Sequence, residues 1–140
     1  MDIPTHLSHR PVVKLENYSA IDGQYKNNTD AEGLSIGIAQ WSEPDSPELS
    51  AKVWRYTGMK WSRQSEELPV HRVLDLANLI CAALSYVRTG VLPVDKRFRI
   101  TLANNPELIS TMKACLEKDS ENIDTSLSRL AESLKAILPE

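Results

Sequence analysis

The sequence predicts an α+β fold: an antiparallel sheet of four to five strands packed on one long helix, with a C-terminal helical pair. Three observations predict it. Residues 34–41 and 49–56 alternate apolar and polar with period two, the signature of half-buried strands. Val70, Val73, Leu74, Ala77, Ile80, Cys81, Leu84 and Val87 repeat at helical spacing. Asn105-Pro106-Glu107 opens a further helical stretch with apolar positions up to Leu138, which predicts the C-terminal helical pair. The length of 140 residues, with 41% apolar and 25% charged content, fits one domain spanning 1–140.

Pro11–Leu15 opens the order as a short strand, since Val12 and Val13 favour pleated backbone and a proline suits a strand start. Residues 17–33 are rich in Asn, Asp and Gly and read as a long loop. Leu34–Trp41 is the next strand, and the two prolines of Ser42–Glu48 separate it from a third, Leu49–Tyr56. If Thr57-Gly58 forms a two-residue hairpin loop, Tyr56 faces Met59, Trp54 faces Trp61 and Lys52 faces Arg63. Gln64–Glu67 then reads as a polar connection, with Pro69 in the first turn of the long helix. Gly90 and Pro93 end that helix. Arg97–Leu102 alternates again and predicts a further strand. Asn105-Pro106-Glu107 is a helix start, followed by apolar positions for two more helices up to Leu138.

The net charge of −3 argues against strong non-specific nucleic-acid binding, yet it hides a segregation. Residues 49–104 carry nine cations and four acids, whereas the flanks are acidic. Within that basic middle, the hairpin places Lys52, Trp54, Tyr56, Trp61 and Arg63 on one face, with Lys60 beside them. Aromatic rings interleaved with cations are how single-stranded nucleic acid is stacked and neutralised. The same face serves equally as an aromatic core, or as a homodimer or other protein interface.

Signals for catalysis are sparse. No nucleotide-binding glycine motif and no metal-ligand spacing is present, so neither cofactor nor metal is predicted. His6 and His9 lack partners in the sequence pattern. His71 and Asp75, one helical turn apart, are the only candidate acid/base pair and would need an enclosing cleft. Cys81 and Cys115 fall in apolar helical patterns, which predicts buried, reduced thiols. The N-terminus lacks the pattern of a signal peptide, and no apolar stretch reads as membrane-spanning, so a cytoplasmic protein without a membrane partner is expected.

Two resemblances add to this. Leu34–Trp41, then Lys52-Val-Trp-Arg-Tyr56, Gly58-Met-Lys-Trp61, Leu68 and the helix from Val70 resemble the strand, strand, basic turn, helix order of the transcriptional-coactivator p15-like family over about residues 34–84. That resemblance implies a homodimer binding single-stranded DNA, but Ser65-Glu66-Glu67 stands where the family has a basic turn. The whole sequence, above all Ser62–Ala77, is similar to a family of small bacterial proteins of unknown function, which implies a bacterial source and no activity. The expectation is a non-enzymatic binding or regulatory protein for single-stranded nucleic acid. Its alternatives are a protein-interaction module and a small enzyme with a cleft near His71.

Overall fold

Four strands and three helices follow one another in the computed structural model, which describes residues 2–5, 7–62 and 66–139. The strands are β1 (Arg10–Glu16), β2 (Ala31–Ile38), β3 (Leu49–Arg55) and β4 (Glu66–Pro69), and the helices α1 (Val70–Thr89), α2 (Pro106–Lys118) and α3 (Ser120–Ile137). The sheet is antiparallel in the order β1-β2-β3-β4, so the class is α+β. The chain forms two compact units, residues 1–77 and 78–140, with the boundary inside α1.

In the first unit every sheet neighbour is also a sequence neighbour, and the connections carry the turn chemistry the sequence announced. β2 begins at Ala31, ahead of the expected Leu34, so the loop shortens to 17–30 and holds two 3-10 turns, Tyr18–Ile21 and Gly23–Tyr25. Asn17 and Asn27 take left-handed backbone at their borders, a conformation Asn tolerates better than most residues. Gly37 lets β1 and β2 approach closely: a methyl group there would lie 2.1 Å from the Arg10 carbonyl oxygen. A bulge between Pro11 and Val13 interrupts the β1 ladder, as is common on edge strands.

The hairpin after β3 differs from the two-residue reading. Tyr56 bridges Trp61 rather than Met59, and the Thr57 amide and hydroxyl both donate to the Lys60 carbonyl, closing a four-residue loop. Gly58 at φ +95° supplies the positive φ in that loop. Because the register moves by two residues, side-chain parity is kept and Trp61 stays on the face of Trp54 and Tyr56. Met59 is carried to the loop tip, 90% exposed. The expected polar connection also changes: Glu66–Pro69 is an edge strand, with Lys52 opposite Glu67 and Ser50 opposite Pro69, and the helix starts one residue after Pro69.

In the second unit, α1 ends at Gly90, whose amide donates to the Tyr86 carbonyl, and Asn105 caps α2 by accepting from the Glu107 and Leu108 amides. Asp119 alone separates α2 from α3, and Arg88 pairs with Asp124 at 2.8 Å. The strand expected at Arg97–Leu102 does not form. Asp95 Oδ1 instead accepts the Arg97 and Phe98 amides, taking them out of any ladder and holding the Asp95 pKa down.

Among the described residues of 78–140 only Ala82 and Leu84 are buried. Cys81 and Cys115 are accordingly exposed, against the buried thiols expected from helical pattern alone. Within α1 an 18-residue window has a mean hydropathy of 1.3, long and apolar enough by length and composition alone to cross a bilayer. The polar residues His71, Arg72 and Asp75 crowd its start.

Candidate functional site: a closed polar face and an open apolar face

The register sorts the sheet into two faces of opposite character. One carries Gly33, Ser35, Gly37, Ser50, Lys52, Trp54 and Glu67; cross-strand partners share a face, and alternate residues along a strand do too. The N-terminal segment covers this face. Ile3 is buried, its side chain fills the space in front of Gly33, and its amide donates to Glu16 Oε1 at 3.3 Å. His9 is 1% exposed and sits at the centre.

The hydrogen bonds around His9 fit one assignment of protons. Trp54 Nε1–H donates to Ser35 Oγ at 2.8 Å, and Ser35 donates to His9 Nε2 at 2.9 Å. His9 Nδ1–H lies 2.9 Å from Ser50 Oγ and 3.2 Å from Glu67 Oε2. That carboxylate oxygen also accepts from Ser50 Oγ at 2.7 Å and from the Gln40 amide at 3.0 Å. The imidazole is therefore satisfied while neutral. Burial pushes its pKa down, with the Lys52 charge adding to that, and the Glu67 carboxylate works against both.

A hydroxyl, an imidazole and a carboxylate in line are the parts of an activated nucleophile. Here the Ser35 hydroxyl is already shared between Trp54 and His9, and Ser35 is 5% exposed, so a substrate carbonyl has no approach to it. The arrangement satisfies buried polar groups and fastens the N-terminal segment to three strands.

The residues singled out for nucleic acid lie on and beside this face. Trp54 is 1% exposed, edge-on to His9 and Trp61 at 5.9 Å each. Lys52 Nζ stands 3.9 Å from the Trp54 ring centroid, and burial lowers its pKa against the pull of Glu67. Tyr56 and Trp61, with ring centroids 5.3 Å apart, are half-buried, and Lys60 is exposed. The structure thus brings Lys52, Trp54, Tyr56 and Trp61 together and sets Lys60 in the loop. Arg63, like His6, lies outside the described residues.

His71 and Asp75 are exposed and share no hydrogen bond. His71 does line an open cleft of about 650 Å³ with Trp41, Glu48, Glu67 and Arg72, but Asp75 is not among its walls. The feature the sequence reading missed is His9. Its signal was faint, a histidine just before the first strand, and its partners come from positions 35, 50, 54 and 67.

The opposite face of the sheet is apolar and open. Three rows cross it: Arg10, Ile38 and Leu49; then Val13, Ile36, Ala51 and Leu68; then Leu15, Leu34, Val53 and Glu66. None of the nine apolar residues in these rows is buried, and Val13 is 63% exposed. With Val73 at the start of α1, the last two rows line a groove of about 540 Å³. At its margin Arg55 pairs with both Asp30 and Glu66, which holds the guanidinium pKa up.

No curated protein and no solved structure matches this sequence, and nothing found supports the p15-like resemblance. A family model described as a family of unknown function, DUF6530, matches residues 1–99, which hold the whole sheet and α1, and the chain belongs to that family.

Proposed function

We propose that the chain is a non-enzymatic protein-interaction module whose contact surface is the open apolar face of the sheet. The observation that carries this reading is the inversion of the sheet: its polar face is closed over by the N-terminal segment, while nine apolar residues on the other face remain unburied. Contiguous exposed apolar surface of this kind marks interaction sites in soluble proteins. The nucleic-acid reading needs exposed rings for stacking, and the burial of Trp54 withholds the central one. Aspartates at Val13 and Leu15 provide the test. The V13D/L15D variant is expected to keep the wild-type circular-dichroism spectrum and to lose binding of an apolar-surface dye. A variant that unfolds, or that binds the dye as before, would overturn the assignment of this face.

A further inference from the structure

From the charges at the corners of the apolar face we infer that its occupant is a second copy of this chain, docked face to face about a two-fold axis. This rests on the interaction reading above and names the partner. Arg10 stands at one corner, in the outer strand β1 beside Ile38. Glu66 stands at the diagonally opposite corner, in the outer strand β4 beside Val53. Three strand spacings separate them across the sheet and four residue steps along it, roughly 14 Å in each direction, so the patch is nearly square. A two-fold axis lying in the interface along the other diagonal, from the Leu15 corner of β1 past Leu49 toward the Pro69 end of β4, exchanges Arg10 and Glu66. Each Arg10 then faces the Glu66 of the other copy, twice per dimer, and the strands of the two sheets cross near a right angle, one of the two preferred sheet packings.

The remaining charges agree with this pairing. On this face the β1 margin carries Arg10 alone, since Lys14 and Glu16 belong to the polar side, while Asp30, Arg55 and Glu66 leave the facing margin with one net negative charge. Edge-to-edge addition through β1 is the less suitable route, because Pro11, the bulge and the central Lys14 are the devices that blunt an edge. Size sets the strength. Strands of seven, eight, seven and four residues give a footprint of roughly 420 Å² per copy, about 850 Å² in all, below the ~1,200 Å² at which specific interfaces become stable. An interface of that size belongs to the weak, reversible class.

Sedimentation velocity from about 1 µM to about 500 µM tests it, alongside the apolar-surface dye. The wild type is expected to shift from monomer to dimer across that range, and V13D/L15D to stay monomeric. R10E and E66K each place like charges at both corners and should weaken association by about tenfold. Mixed in equal amounts they restore both opposite-charge pairs, so the mixture should dimerise about as well as wild type. A wild-type monomer throughout overturns the self-pairing, and if the dye still reports the face through V13D/L15D, the interaction reading stands with a different protein as occupant. A dimer indifferent to V13D/L15D places self-association on another surface and overturns the inference. A mixture no stronger than the single variants overturns the two-fold geometry.

Discussion

Protonating His9 sets two costs against one gain, and their balance makes the stability of the fold depend on pH. The imidazolium would lose hydration in a site 1% exposed, and Lys52 stands close enough to repel it. The gain is an ion pair with Glu67 Oε2 at 3.2 Å. Desolvation is the largest of these effects, so the folded-state pKa lies below the ordinary value of 6.5. In the unfolded chain His9 takes up its proton near 6.5, whereas in the fold it does so only at lower pH. Between those two values the unfolded state binds more protons, so stability is full above pH 6.5 and falls as the pH drops through that window. The slope approaches about 1.4 kcal/mol per pH unit for one proton, and flattens below the folded pKa. Urea unfolding at half-unit steps from pH 8 to pH 5, on wild type and on His9→Gln, measures it. The substitution should lower stability by about 2 kcal/mol at pH 8, because it misplaces buried hydrogen bonds to Ser35, Ser50 and Glu67. It should also remove the His9 share of the slope. Parallel profiles for the two proteins would refute the reasoning. A wild type that gains stability relative to His9→Gln as the pH falls would show that the Glu67 pair outweighs burial.

Three further outcomes are expected. Gly37→Ala puts a methyl group 2.1 Å from the Arg10 carbonyl oxygen, which is backbone, and should cost at least about 2 kcal/mol in urea unfolding; Gly33→Ala meets the flexible end of Ile3 at 2.6 Å and should cost clearly less. Asn105→Ala leaves the Glu107 and Leu108 amides uncapped and should cost about 1 kcal/mol, read by thermal unfolding; an unchanged melting temperature would contradict the cap. Cys81 and Cys115 should both react with a thiol reagent in the native protein at rates close to a free thiol; protection of either until denaturant is added would contradict their exposure.

The parts of the fold legible in the sequence are those set by local chemistry. Alternation in 34–41, the helical period from Val70, the Gly90 stop and the Asn105 cap each depend on residues within a few positions of one another. What could not be read depends on distant residues. Arg97–Leu102 alternates as a strand should, but it pairs with none of the four strands, and Asp95 two residues upstream takes up its amides. Glu66 and Glu67 looked like a polar connection because carboxylates are poor strand formers. Arg55 holds the first, and three donors hold the second. The pairing arithmetic for the aromatic face survived a two-residue error because strand parity survived it, and so Trp54 and Trp61 still meet.

Hydrophobic pattern identifies which side chains of a strand share a face but not which face is enclosed, and this sheet reverses the usual assignment. In β2 the alternation sets Leu34, Ile36 and Ile38 against Gly33, Ser35 and Gly37, and the enclosed set is the second, made of small and polar residues. Small residues are what that side requires. Gly33 makes room for Ile3 and Gly37 for the β1 backbone, while Ser35 supplies the hydroxyl that Trp54 and His9 both use. A large side chain at any of the three would push the N-terminal segment or β1 away and separate His9 from its acceptors. The small side of β2 is thus committed to holding the chain's own N-terminus. That leaves the branched side as the surface on which burial is still to be gained, at roughly 25 cal/mol for each Å² of apolar surface covered.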